Sequence, residues 1–189
     1  VLAPREIILP FYEAFAFIPL RLSYLLAPQR VLDALGPNAL DGGAGAQIAA
    51  ILDAGPLVYA TPLTYACLHG GWTHLAVNSL TLTAFGPPVA RRLGGPIFLL
   101  FYAACAIAGA MSHYALHPLD AGAVVGASAA ISGTIGAIVR FAYSPRARGG
   151  YGGLNGREAQ TPPLAELGGN RQALLFLIVW FGVNLLFGA

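Results

Sequence analysis

The chain has 189 residues, of which 57% are hydrophobic and only 10% are charged, and its formal net charge is +2. A soluble domain of this length rarely carries so apolar a composition, so the composition indicates a membrane protein. All ten basic residues are arginines, and seven of them fall on two connections between apolar segments. This spacing fits the positive-inside rule with both connections cytoplasmic, and it gives no basic face of the kind that binds nucleic acid.

The first 60 residues contain no clean membrane span. The apolar run from Ile7 to Ala27 is interrupted by Glu13, Arg21 and two prolines, so it is either the tail of a span or an interfacial segment. Residues 28–64 mix apolar runs with glycine and aspartate, which predicts a long outer loop with short in-plane helices. Since the chain starts at Val1 without a methionine, we expect the first span to be truncated within residues 1–60.

Four later apolar runs are close to the ~20 residues that cross ~30 Å of hydrocarbon. They cover about residues 72–90, 97–116, 124–143 and 172–189. We therefore predict an all-α, polytopic transmembrane helix bundle with its core in residues 61–189. The Gly- and Pro-rich stretch from Ser144 to Asn170 is typical of a flexible cytoplasmic loop. The last span ends at Ala189 without a polar flank, so we expect the natural protein to continue.

Two polar side chains share one face of the first of these spans. His74 and Asn78 are four residues apart, so both can point into the bundle. Each alone has an ordinary interpretation: Asn78 can hydrogen-bond a neighbouring helix, and His74 can be an interfacial histidine. Together with His69 on the approach and Ser128 in another span, a cluster of donors for a developing oxyanion is the better account.

Small residues line two faces of the predicted third span: Ser128, Ser132 and Gly136, and then Gly122, Gly126, Ala130 and Thr134. Small residues permit close helix packing in lipid, so this helix is expected in the bundle centre. Ser128 is then either a packing residue or a reactive one. It follows a Gly-Ala pair near the helix start, and Asp120 upstream suggests that water reaches this end.

The arginines also orient the spans. With both basic connections inside, the first span begins outside near His69 and His74, and the third begins outside near Gly126. His74, Asn78 and Ser128 therefore lie at similar depth near the same membrane face. A hydroxyl nucleophile beside hydrogen-bond donors at that depth is typical of hydrolysis within a membrane.

Three segments, Pro62–Asn78, Phe85–Gly94 and Gly126–Ser128, resemble the rhomboid family of intramembrane serine proteases in order and spacing, over roughly residues 60–189. The resemblance implies that Ser128 is the nucleophile. It implies oxyanion binding by His74, Asn78 and the backbone N–H of Ser128, with His69 and Gly126 as supporting residues. It also implies a general-base histidine on a helix after the last span, outside this chain.

The chain departs from the family pattern at Ala129, where glycine is common, and at Ser132, where an aromatic ring can hold the base histidine. His113 and His117, at the outer end of the second span, are more typical of interfacial residues than of a base. Cys67 and Cys105 are interpreted as small buried hydrophobes and not as a disulfide or metal pair. We expect neither a metal nor a cofactor.

The predicted function is an intramembrane serine endopeptidase that cleaves transmembrane protein substrates near the outer membrane face through an acyl-enzyme. The expected location is a bacterial inner (plasma) membrane, with the lipid bilayer and the substrates as partners. The alternative is a catalytically inactive rhomboid-like protein that binds transmembrane clients. A small transporter would need paired ionisable residues at mid-membrane or inverted repeats, and the sequence has neither.

Overall fold

The computed structural model describes residues 11–12, 14–53, 55–142 and 170–187. The regular elements in this part of the chain are helices, and its only bridge between extended segments joins Phe17 to Val124. Contacts divide the chain into two compact units, of which the first comprises Val1–Ser79 and Ala103–Ala130 and the second Leu80–Tyr102 and Ile131–Ala189. The predicted loop at 144–170 lies outside the described residues, except for Asn170.

The first unit contains three short helices near its N-terminal end: α1 (Pro19–Leu26), α2 (Pro28–Leu35) and α3 (Gly42–Leu52). Proline at the first helical position starts α1 and α2, because its fixed φ suits a helix and its missing N–H is not needed there. The helices share a buried apolar cluster of Ile18, Leu20, Val31 and Leu52. Their orientation in the membrane plane stays a prediction.

Arg21 fixes α1 to α3. Its side chain is only 7% exposed, and its Nε donates to the carbonyl of Ile51 at 2.8 Å. Ile51 lies in the last turn of α3, where carbonyl groups lack a partner in their own helix. Arg21, which interrupts the N-terminal apolar run, therefore donates a hydrogen bond to a carbonyl at the end of α3 that has no partner in its own helix.

A run of tight turns then leads to His69. It consists of a 3-10 helix (Pro56–Ala60), the single turn α4 (Thr61–Thr64) and a second 3-10 helix (Tyr65–Cys67). The hydroxyl of Thr64 donates to the carbonyl of Phe15 at 2.8 Å, which ties the run to the N-terminal segment. Cys67 is exposed in the last of these turns and is not buried as the sequence indicated.

The remaining helices are α5 (Trp72–Leu93), α6 (Gly95–Leu116), α7 (Ser128–Ala142) and α8 (Arg171–Phe187). Among the described helices, α6 alone is both long enough and apolar enough to cross a membrane, whereas the sequence indicated four spans. The helix α5 is equally long, but polar residues such as His74 and Asn78 lower its hydropathy. The apolar stretches of α7 and α8 are shorter, at Ser128–Phe141 and Arg171–Gly182.

The helix α7 begins four residues later than the predicted third span. Val124 is extended and exchanges backbone hydrogen bonds with Phe17 at 3.2 and 2.8 Å. Gly126 has a φ of +120°, which a continuing helix cannot accommodate. Gly122 and Gly126 therefore do not belong to the small-residue face of the helix, and that part of the prediction was wrong.

In the second unit, aromatic residues connect α5 to α8. Phe85 meets Phe176 and Trp180 edge-on, with ring centroids 6.1 and 6.5 Å apart. The indole N–H of Trp180 donates to the hydroxyl of Ser132 at 3.4 Å. Ser132, one of the departures from the family pattern, thus accepts a hydrogen bond from α8.

Candidate active site

The candidate site contains a close contact between His74 and Gly126. A Cβ atom built on Gly126 would lie 2.7 Å from both Cε1 and Nε2 of His74, so the imidazole packs directly on the glycine backbone. The φ of +120° at Gly126 also disfavours any side chain. The His74 ring is therefore fixed against the backbone two residues before Ser128.

A backbone hydrogen bond sets the tautomer of His74. The N–H of Gly70 donates to Nδ1 of His74 at 3.3 Å. In a neutral imidazole, a nitrogen that accepts a hydrogen bond leaves the proton on the other nitrogen. The proton is thus assigned to Nε2, the atom that lies against Gly126. His74 offers an N–H donor to the segment that leads into Ser128.

Asn78 lies one helical turn after His74 and is 7% exposed. Its Nδ2 donates to the backbone carbonyl of His74 at 3.0 Å. This bond satisfies one polar atom of a buried amide and holds the side chain beside the His74 turn. The amide group has a second N–H that can serve as a donor.

Ser128 is the first residue of α7 and is exposed. Its hydroxyl makes no hydrogen bond within the part of the chain that the structure describes, so no such bond joins it to His74 or Asn78. The N–H groups at the start of a helix have no partner in that helix, which makes the Ser128 amide available as a donor. Ala127, the residue before it, is buried, and Ala129, the residue after it, is half-buried.

His69, in the loop before α5, packs against His74. The two rings meet edge to face with centroids 5.2 Å apart, and the hydroxyl of Tyr12 donates to the His69 carbonyl. Its Nε2 is buried and has no hydrogen-bond partner among the described residues. Burial and the neighbouring His74 lower the pKa of His69, against a hydrogen bond to the backbone of Cys67 that raises it. The fold therefore favours the neutral ring.

The other two histidines lie in and just after the last turn of α6. Nε2 of His113 lies 3.3 Å from a carboxylate oxygen of Asp120, and its ring is 5.1 Å from that of His117. Asp120 also accepts the N–H of Gly122 at 2.8 Å. These contacts give His113 a partner in the turn that follows α6. No cluster of three or more potential metal ligands occurs in the described ranges.

The sequence interpretation missed Tyr65. It is 3% exposed, its hydroxyl donates to the carbonyl of Ala106 at 2.8 Å, and its own carbonyl accepts the N–H of Gly126 at 3.0 Å. Both partners are distant in sequence, so no local pattern signals these bonds.

Comparison with known proteins identifies the class to which this all-α fold belongs. The model of the Rhomboid domain family matches residues 58–189. The chain therefore belongs to the rhomboid family, whose members are integral membrane proteins, and the predicted fold class and family are confirmed.

Two curated relatives come from Bacillus subtilis (strain 168). The chain is 45% identical over 74 residues to "Putative rhomboid protease YdcA", a match that covers 39% of this chain and 37% of the relative. It is 40% identical over 84 residues to "Rhomboid protease GluP", which covers 44% of this chain and 16% of the relative. The chain thus matches well under half the length of either relative. No solved structure shows significant similarity to it.

Proposed function

We propose that this chain carries the nucleophile and the oxyanion donors of a serine-type intramembrane endopeptidase. The observation that carries the proposal is the packing of the His74 imidazole on Gly126, two residues before the exposed Ser128. A donor nitrogen and a hydroxyl that can meet substrate are two of the parts that acyl transfer needs, and a general base is the third. The names of both relatives, as rhomboid proteases, support the same activity.

In the proposed reaction, Oγ of Ser128 attacks the carbonyl carbon of the scissile peptide bond and gives its proton to a histidine base. The resemblance implies that this histidine follows Ala189. The oxyanion accepts hydrogen bonds from His74 Nε2–H, the Asn78 amide and the Ser128 N–H. The base then protonates the leaving amine as the C–N bond breaks, and water hydrolyses the acyl-enzyme to release the acid and free Ser128.

The proposed substrates are transmembrane proteins, cut near the outer membrane face. The apolar composition supports a site surrounded by lipid, and the arginine distribution supports an outer position for the first turn of α5 and the start of α7. The two relatives are bacterial, which supports a bacterial plasma membrane as the location.

The test uses the full-length protein in proteoliposomes with a transmembrane test substrate. Ser128→Ala should abolish cleavage while the protein remains folded, because it removes one exposed oxygen. Ser112→Ala is the matched control, since Ser112 is also exposed and its hydroxyl donates to Ala108 in its own helix. Cleavage by Ser128→Ala would contradict the proposal. A wild type that binds the substrate without cutting it would favour the inactive, client-binding alternative.

A further inference from the structure

Tyr65 connects three parts of the first unit. It lies in the 3-10 turn before His69 and is almost completely buried. Its ring meets the ring of Phe17 with centroids 6.3 Å apart. Its hydroxyl is hydrogen-bonded to the helix α6, and its carbonyl is hydrogen-bonded to the segment before α7. Tyr65 therefore connects the loop before α5 to both of these segments.

The backbone of Tyr65 fixes the segment on the N-terminal side of Ser128. Its carbonyl accepts the N–H of Gly126 at 3.0 Å, and the ring contact with Phe17 lies beside the bridge between Phe17 and Val124. The backbone of Gly126 is also the surface on which the His74 ring packs. The position of Gly126 between Tyr65 and His74 is thus set from both sides.

The side chain of Tyr65 contacts α6 near the place where α6 meets the residue after Ser128. Its hydroxyl donates to the carbonyl of Ala106 in α6 at 2.8 Å. About one helical turn after Ala106, a Cβ atom built on Gly109 would lie 3.1 Å from the same hydroxyl. The same Cβ would collide with the Cβ of Ala129, so α6 and α7 touch at this point. Ala129 directly follows Ser128, and its position depends on where Tyr65 holds α6.

We infer that Tyr65 is a positioning residue for Ser128, acting through Gly126 on one side of the serine and Ala129 on the other. The inference rests on the proposed peptidase function and adds a residue that neither the motifs nor the family match assigns. Tyr65 does not touch the reacting atoms. Its hydroxyl fixes the distance between α6 and the loop before α5, and that distance determines where the Ser128 oxygen lies relative to His74.

The hydroxyl can be removed without leaving an unsatisfied acceptor. Ala106 lies inside α6, where its carbonyl can also accept the regular hydrogen bond from the residue four positions later. Phenylalanine keeps the ring contact with Phe17 and the backbone bond to Gly126. Tyr65→Phe should therefore fold, and its effect should appear in the alignment of Ser128.

The experiment compares Tyr65→Phe with Tyr114→Phe in the full-length protein. Tyr114 is the matched control, because its hydroxyl also takes part in a hydrogen bond, accepting from Ser23 at 3.2 Å, but it is not among the atoms nearest to a Cβ on Gly109 or Gly126. The readouts are kcat and KM for a transmembrane test substrate, the rate at which a fluorophosphonate labels Ser128, and Tm. Tyr65→Phe should lower kcat and the labelling rate about 10- to 100-fold, a range typical of a misplaced reacting group, with KM within about twofold of wild type.

Tyr114→Phe should keep the kcat and labelling rate of wild type, whatever its Tm. A Tyr65→Phe enzyme with wild-type kcat and labelling rate would overturn the inference and leave the proposed function standing. An equal loss of kcat in both tyrosine variants would also overturn it, since the loss would then follow stability. A wild type that neither cleaves nor labels would overturn the proposed function and, with it, the role of Tyr65.

Discussion

At the scale of single residues, the candidate site requires Gly126 to have no side chain. The His74 ring occupies the space that a Cβ would need, and the backbone there is in a region that favours glycine. The same contact brings an N–H donor next to the backbone that leads into Ser128. Gly126, which the small-residue pattern placed on a helix face, is thus in direct contact with a residue of the candidate site.

Gly126→Ala should abolish cleavage by displacing His74, and it should also lower Tm. Gly136→Ala is the control, because a Cβ on Gly136, within α7, meets nothing within 4 Å. In a helix interior that change should be neutral or stabilising by about 0.5–1 kcal/mol. Substrate cleavage and thermal unfolding of both variants test this prediction, and an active Gly126→Ala protein would contradict the role given to the contact.

Asn78→Ala should slow turnover while leaving substrate binding nearly unchanged. One lost oxyanion donor typically costs about 2.7–4 kcal/mol, or ~100- to ~1,000-fold in kcat. Thr73→Ala on the same helix is the control, since Thr73 is exposed. If Asn78→Ala instead reduces the amount of folded protein and leaves kcat per folded molecule intact, Asn78 is a packing residue only.

At the scale of elements, the contact between α6 and α7 depends on two small residues. Gly109→Ala should push α7 away from α6, because the new Cβ would overlap the Cβ of Ala129. We expect a lower Tm and a loss of cleavage. The double variant Gly109→Ala with Ala129→Gly removes the overlap and should recover most of both. A double-mutant cycle on Tm measures the coupling, and simple additivity would contradict the contact.

The turn between α6 and α7 should weaken in acid. The hydrogen bond from Gly122 lowers the pKa of Asp120 below its ordinary value, with His113 and His117 adding to the effect and burial opposing it. A carboxylate with a lowered pKa in the fold stabilises the fold above its unfolded pKa of about 3.9, and this stabilisation is lost as pH falls through the folded value. Exposure of Asp120 keeps the effect small.

The difference in Tm between wild type and Asp120→Asn measures this contribution. The wild type should be the more stable at about pH 6, and the difference should shrink as the pH falls below about 3.9 and through the lower pKa of the folded protein. A difference that stays constant over this range would contradict the assignment to the ionised carboxylate.

The sequence predicted the position of a helix well where interactions between residues close in the chain determine that helix. The apolar run from Ile97 to Leu116 predicted α6 closely, and the spacing of His74 and Asn78 predicted one shared turn of helix. The start of α7 was placed too early, because the bridge from Val124 to Phe17 is not local. The roles of Tyr65 and Arg21 also depend on distant partners, which no periodicity records.

At the scale of the whole molecule, the apolar surface explains why the fold needs a bilayer. Only 11% of the most apolar 18-residue stretch of α6 is buried inside the protein, so most of that helix presents its side chains outward. Contact of such an apolar surface with lipid tails is favourable, whereas its exposure to water costs free energy. Hydropathy and length together identified one span among the described helices, because polar residues lower the hydropathy of α5 and the apolar stretches of α7 and α8 are shorter.

The most direct test of the central claim is the site of reaction with a fluorophosphonate, which forms an adduct with an activated serine. The full-length protein in native membranes is treated with the probe, digested and examined by mass spectrometry. The account predicts an adduct on Ser128 that is lost in Ser128→Ala, weakened in Asn78→Ala and retained in Ser112→Ala. An adduct on a different serine, or the absence of any adduct on a folded wild-type protein, would contradict the assignment of Ser128 as the nucleophile.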